Sequence, residues 1–259
     1  MTSILTNASA MTALQTLNTT NKNLATTQDR IATGQRVSTA ADNAAYWSIA
    51  TGMRTQNSAL SAVKDGLGLG ASIVDTAYTA LNEAITKAQD IQAKYVARET
   101  PGTDATIIDA DIAQSKAAVV DIAKGATFQG VNLLATGGTA QNIVTGYTSG
   151  TGVTTMAVSA YDLEAALTGA TTSAAVGTAI DAMKAAAAAL GSAKTRITTQ
   201  QTFTDNLMDA IDRGVGQLVD ADMNKESARL SALQVQQQLG VQALSIANSS
   251  NQSILKLFQ

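Results

Sequence analysis

The sequence predicts a mainly α fold: a long antiparallel helical bundle or coiled coil built from the N- and C-terminal segments, carrying a small β-hairpin insert. Three observations lead there. One proline occurs in 259 residues, so almost nothing breaks a helix. Apolar residues recur at alternating steps of three and four over most of the chain, the rhythm of one helical face. A single stretch, 135–178, departs from this rhythm; it is rich in Thr, Gly and Ser, with charges only at Asp162 and Glu164.

The first helix is read from Ala10, Leu14, Leu17, Asn21, Leu24, Gln28 and Ile31. A much longer seam runs from Ile49 through Leu60, Leu67, Val74, Leu81 and Ile91 to Tyr95, within a helix spanning about residue 44 to Glu99 and roughly 80 Å long. Pro101-Gly102 stops it, and Asp104 is placed to cap the next helix. That helix, on Ile108, Ile112, Val119 and Ile122, is short enough to fold back antiparallel on the long one. In the insert, 142–147 and 153–161 have the β-branched and aromatic content of paired strands, with 148–152 as their turn. Helical spacing resumes at Val176 and continues through Met183, Leu190, Ile197 and Ile211 to Asp222, then from Leu230 to Phe258.

Composition excludes many functions. With no cysteine and no histidine, thiol catalysis, disulfides, histidine bases and the usual zinc sites are ruled out. A net charge of −3 supplies no polycation for nucleic acid. The longest uncharged stretch, Leu230–Leu255, is interrupted by Gln and Asn, so no membrane insertion is expected of it. The opening MTSILTNASAM lacks a basic region and an apolar run, so Ala8-Ser9-Ala10 is not expected to be a cleavage site. Residues 1–40 carry +2 and 226–259 carry +1, which leaves −6 in between. Arms so poor in charge, yet amphipathic, can be buried among other helices, and one molecule supplies too few neighbours. Copies of the chain itself are the expected partner.

Other motifs have plainer readings. GLGLGA at 66–71 matches a dinucleotide fingerprint but lies mid-helix, where glycines allow close packing of helices or local bending. Asp109 with Asp111, Asp205 with Asp209 and Asp212, and Asp220 with Asp222 read as solvated helix faces, with Asp209 and Arg213 spaced for an i to i+4 pair. Trp47 beside Tyr46 reads as a packing anchor where the first arm meets the long helix. Serines and threonines between Thr139 and Ser173 read as solvated loop, with O-linked sugar as the open alternative. No catalytic, cofactor or metal site results, and no enzyme activity is expected.

Two segments go further. TQDRIATGQRVSTAADNAA at 27–45 and DMNKESARLSALQVQQQLGVQALSIANSS at 222–250 resemble the paired terminal signatures of bacterial flagellin, particularly short alphaproteobacterial forms. The resemblance extends over about the first 130 and last 80 residues. It implies a structural subunit that self-polymerises into the flagellar filament for swimming; a hook-associated junction protein is the alternative. Its implied domains are an inner one of 1–40 plus 226–259, a helical rod of 41–134 plus 179–225, and the surface insert 135–178. Carried over, Leu14, Leu17, Leu24 and Ile31 would pack with Leu230, Leu233, Val241, Leu244, Ile254 and Phe258 as the assembly interface. Arg30, Gly34, Arg36, Val37, Asp42 and Asn43 would form the spoke between inner and outer layers, Gly34 allowing a break and Arg36 and Asp42 holding the bend by charged hydrogen bonds.

The resemblance also implies export unfolded through the flagellar secretion apparatus with a chaperone, an extracellular location, and contact with hook-associated junction and cap proteins. Two departures matter. An insert this short predicts a thin filament without a separate outer domain. Where enteric flagellins carry a segment like QRVRELAVQ, used by the innate immune receptor, this chain has QDIQAKYVA at 89–97, with Asp90 in place of a cation and Lys94 in place of an apolar residue. Weak or no receptor recognition follows.

Overall fold

In a computed structural model of the chain, residues 7–257 are described, with side chains through Ser249. Two compact units result, one from Met1–Arg54 with Asp212–Gln259, the other from Thr55–Ile211. The elements in order are α1 (Ala8–Thr33), α2 (Ala44–Arg98), α3 (Ala105–Gly125), β1 (Thr127–Phe128), β2 (Val131–Asn132), β3 (Gln141–Thr148), β4 (Gly152–Val158), α4 (Leu163–Thr168), α5 (Ser173–Val219) and α6 (Met223–Leu257). The fold is mainly α with small antiparallel hairpins, as the apolar rhythm predicts.

In the second unit the seam residues become the core. Leu67, Val74, Leu81 and Ile91 of α2 pack with Ile112 and Val119 of α3, Leu163 and Leu167 of α4, and Val176, Met183 and Ile197 of α5. The turn after α2 holds Pro101, and Asp104 accepts from the Thr106 amide to cap α3. Lys94–Asp111 (2.8 Å) and Arg98–Asp109 (2.7 Å) bind α3 antiparallel to α2. One pair of carboxylates flagged in the sequence is thereby spent on ion pairs. Asp205 likewise pairs with Lys64 at 2.8 Å, and this raises the lysine pKa above its ordinary value of 10.5.

The glycine run has a different neighbour from the one expected. An added Cβ at Gly70 would collide with the Ile143 side chain of β3, and one at Gly66 would lie 3.8 Å from Val144. The glycines of α2 therefore admit the β3–β4 hairpin rather than another helix. Along that hairpin Ile143 lies opposite Met156 and Gln141 opposite Val158, with an irregularity between Val144 and Gly146. Ile143, Met156 and Val158 bury their side chains against the helices.

Three features differ from the sequence reading. The 135–178 stretch is not wholly non-helical: Asp162 caps the six-residue α4 through the Ala165 amide, and α5 begins at Ser173. Burial of Leu163 and Leu167 stabilises a helix too short to stand alone. β1 and β2 form a two-residue hairpin at Gln129-Gly130, both with positive φ (50° and 78°), a turn signal outside the searched insert. Finally, the last seam is broken at Asp220–Asp222 into α5 and α6.

Among the described residues, one helix, Ser173–Val219, is long and apolar enough by composition to cross a bilayer. Its run Ala185–Ala189 raises the mean hydropathy, and its seam residues Val176, Ile180, Met183, Leu190 and Ile197 belong to the protein core.

Candidate functional site: the paired termini and the spoke

In the first unit α1 and α6 lie side by side and antiparallel. Each end of the pair is fastened by polar groups. The Asn7 side chain accepts from the Ala10 amide to cap α1 and donates to the Ala247 carbonyl at 2.9 Å. In the middle Gln237 donates to Asn21 Oδ1 at 2.8 Å. At the other end Arg30 meets Glu226 at 3.3 Å; Glu226 is buried, and its second carboxylate oxygen has no partner. Between these fasteners Gly240 seats Leu17, leaving only 3.2 Å between an added Cβ and Leu17 Cδ1.

The apolar residues assigned to assembly fall in three groups. Leu233 is buried; Leu17, Leu24, Ile31, Leu230 and Leu244 are half-buried along the helix pair. Leu14 and Val241 are exposed, at 51% and 54%. The Ile254 side chain and all of Phe258 lie outside the described residues. The sequence reading did not single out Met11, Val235, Leu239 or Ile246, which are more than half exposed on the same two helices. They fall off the apolar seam, which is why the spacing did not mark them.

The spoke residues share one turn region. Gly34 ends α1 with φ 70°, a conformation that favours glycine, and its carbonyl accepts from the Ala221 amide at 2.9 Å. The chain then crosses the C-terminus of α5, where the last carbonyls lack helical partners. Arg36 and Val37 supply them: both amides donate to the Val219 carbonyl, at 2.6 and 3.3 Å, and the Arg36 guanidinium donates to the Leu218 carbonyl at 2.9 Å. A cation at a helix C-terminus also suits the helix dipole. Val37 is buried beneath this contact.

Asp42 and Asn43 complete the bend with partners of their own. Asp42 Oδ2 accepts from the Ser38 and Thr39 amides (3.1 and 3.0 Å) and from their hydroxyls (3.2 and 3.1 Å). Led by the Thr39 amide, these donors hold its carboxyl below the ordinary value of 3.8. Asn43 Oδ1 accepts from the Ala45 and Tyr46 amides, both at 3.1 Å, and starts α2. Asp222 performs the same service for α6 through the Asn224 and Lys225 amides.

Tyr46 and Trp47 are 42% and 38% exposed on the first turn of α2, so Trp47 is not the packing anchor expected from the sequence. No group of three or more candidate metal ligands occurs among the described residues. A helical protein whose two ends form one unit, with Asp, Arg and amide groups engaged in caps and fasteners, is a structural subunit.

Comparison with known proteins gives that subunit its family. Residues 4–139 match the model of the bacterial flagellin N-terminal helical region, and residues 173–258 match that of the C-terminal helical region. Flagellin of Brucella melitensis biotype 1 is 50% identical over 281 residues, and flagellin C of Rhizobium meliloti strain 1021 is 43% identical over 320, with all of both chains covered in each case. A crystal structure of Bacillus cereus flagellin matches with a TM-score of 0.38 at 18% identity, covering 64% of this chain and 94% of that one. The chain belongs to the bacterial flagellin family, whose members are structural proteins of the flagellar filament and not enzymes. The hook-associated alternative draws no support from these relatives.

Proposed function

We propose that the α1–α6 pair is the polymerisation element of this chain and that neighbouring copies cover it in the filament. The observation that carries this is the exposed apolar surface of the pair: Met11 (67%), Leu14 (51%), Val235 (55%), Leu239 (57%), Val241 (54%) and Ile246 (69%). Isolated exposed leucines are ordinary, but six such residues on two adjoining helices form a surface that association would remove from water. Each side chain so covered contributes roughly 1.5–3 kcal/mol before ordering costs. Charge is sparse on both arms, so little ionic desolvation opposes it.

In this reading the inner domain comprises 1–40 plus 226–259, the rod 41–134 plus 179–225, and the surface insert 135–178. Leu14, Leu17, Leu24, Ile31, Leu230, Leu233, Val241, Leu244, Ile254 and Phe258 carry the interface, and Arg30, Gly34, Arg36, Val37, Asp42 and Asn43 connect its layers. The chain leaves the cell through the flagellar export apparatus with a chaperone and meets junction and cap proteins at the filament ends. Electron microscopy of concentrated protein tests the assembly reading: intact chains form long filaments, and chains trimmed of both arms form none. Filaments from the trimmed chain would refute it.

A further inference from the structure

We propose that Met11 is an oxidation site at which hydrogen peroxide converts a free subunit into one that polymerises poorly. The proposal rests on the assembly reading above. With no cysteine in the chain, its seven methionine thioethers are the softest nucleophiles. Their exposure differs sharply. Met156 and Met183 are buried, Met53 and Met208 are half-buried, and among the described residues only Met11 (67%) and Met223 (43%) are exposed. Both exposed sulfurs belong to the unit that holds the terminal helices.

Their surroundings separate them. Met223 opens α6 between Asp222 and Asn224, where added polarity changes little. Met11 lines a groove of ≈ 1000 Å³ along α1, together with Leu14 and with Leu244 of α6. A lone pair of the Met11 sulfur attacks one peroxide oxygen; the S–O bond forms as the O–O bond breaks, and the departing oxygen leaves as water after proton transfer. The thioether is oxidised by two electrons and the peroxide is reduced by two. The resulting sulfoxide is polar and needs hydrogen-bond donors, which an apolar interface does not offer. A neighbouring copy seated in the groove would shield the same sulfur. Oxidation therefore acts on subunits before assembly and spares those already in place.

The test treats free subunits and preformed filaments with hydrogen peroxide, locates sulfoxides by peptide mass, and measures polymer by sedimentation, with circular dichroism as the control for folding. In free subunits Met11 should oxidise ahead of Met156 and Met183, and the concentration needed for polymerisation should rise about tenfold, the factor set by forfeiting one side chain's burial. Filaments should protect Met11. Met11→Leu should polymerise after treatment as it does before; Met223→Leu should stay sensitive; Met11→Gln should imitate oxidation without peroxide. Folded Met11-sulfoxide subunits that polymerise at the untreated concentration would overturn the proposal, as would treated Met11→Leu subunits that fail. Untreated subunits that never polymerise would instead bring down the assembly reading, and this proposal with it.

Discussion

Asp42 accepts four hydrogen bonds from Ser38 and Thr39, and its neighbour Asn43 accepts two more at the start of α2. Short side chains that bond nearby backbone compete with helix and so end it here. Because the folded carboxyl titrates below its ordinary 3.8, its contribution to the turn is complete above that pH and is lost as pH falls through the folded value. Hydrogen-exchange protection of the Ser38 and Thr39 amides should accordingly hold from neutrality to about pH 4 and fall below it. Asp42→Asn should lower protection at pH 7 and flatten the acid dependence; unchanged protection in the variant would remove Asp42 from this role. The sequence suggested that Arg36 and Asp42 hold the bend, but not with which atoms. Arg36 reaches the end of α5, 182 residues away, and nothing local in the sequence announces a backbone partner at that separation.

At the scale of elements, the helices were legible because a seam of apolar residues repeats over many turns and one cap, Asp104, stands where Pro101 forces a new start. Elements of two to six residues were not: β1, β2 and α4 owe their form to a Gln-Gly turn and to Leu163 and Leu167 meeting the core. The amides in the terminal seams have a clear use in the pair, since Asn21 binds Gln237 while Arg30 and Asn7 fasten the two ends. Polar pairs in a helical seam fix register at a cost in stability. Replacing both Asn21 and Gln237 by Leu should raise the stability of the folded chain by about 1 kcal/mol, seen as a higher denaturation midpoint. If neighbouring subunits slide to change protofilament length, the same double variant should confine filaments to fewer supercoil forms under dark-field microscopy. A wild-type range of supercoils would show that this pair does not govern switching.

For the whole molecule, function was legible because the two terminal segments carry a family resemblance at opposite ends of the chain, and the family models match just those ends. What physical reading added was the reason such ends are informative: they are apolar, nearly uncharged and incompletely covered within one subunit. The exposed residues of α1 and α6 off the main seam escaped it, because periodicity identifies the face a helix gives to its partner and says less about a second face reserved for another copy. The same reasoning bears on recognition by the host. In 89–97 Asp90 is exposed, while Lys94 is held by Asp111 at 2.8 Å and donates to Ser115 Oγ at 2.7 Å. A receptor surface built for a cation and an apolar side chain meets an anion and an engaged ammonium, so it gains one repulsion and loses one buried contact. Reporter cells should respond to this chain at least about tenfold less than to an enteric flagellin, each such contact being commonly worth more than 1 kcal/mol. Asp90→Arg combined with Lys94→Leu should recover part of that response, whereas a response equal to the enteric protein's from the unaltered chain would show that these two positions do not decide recognition.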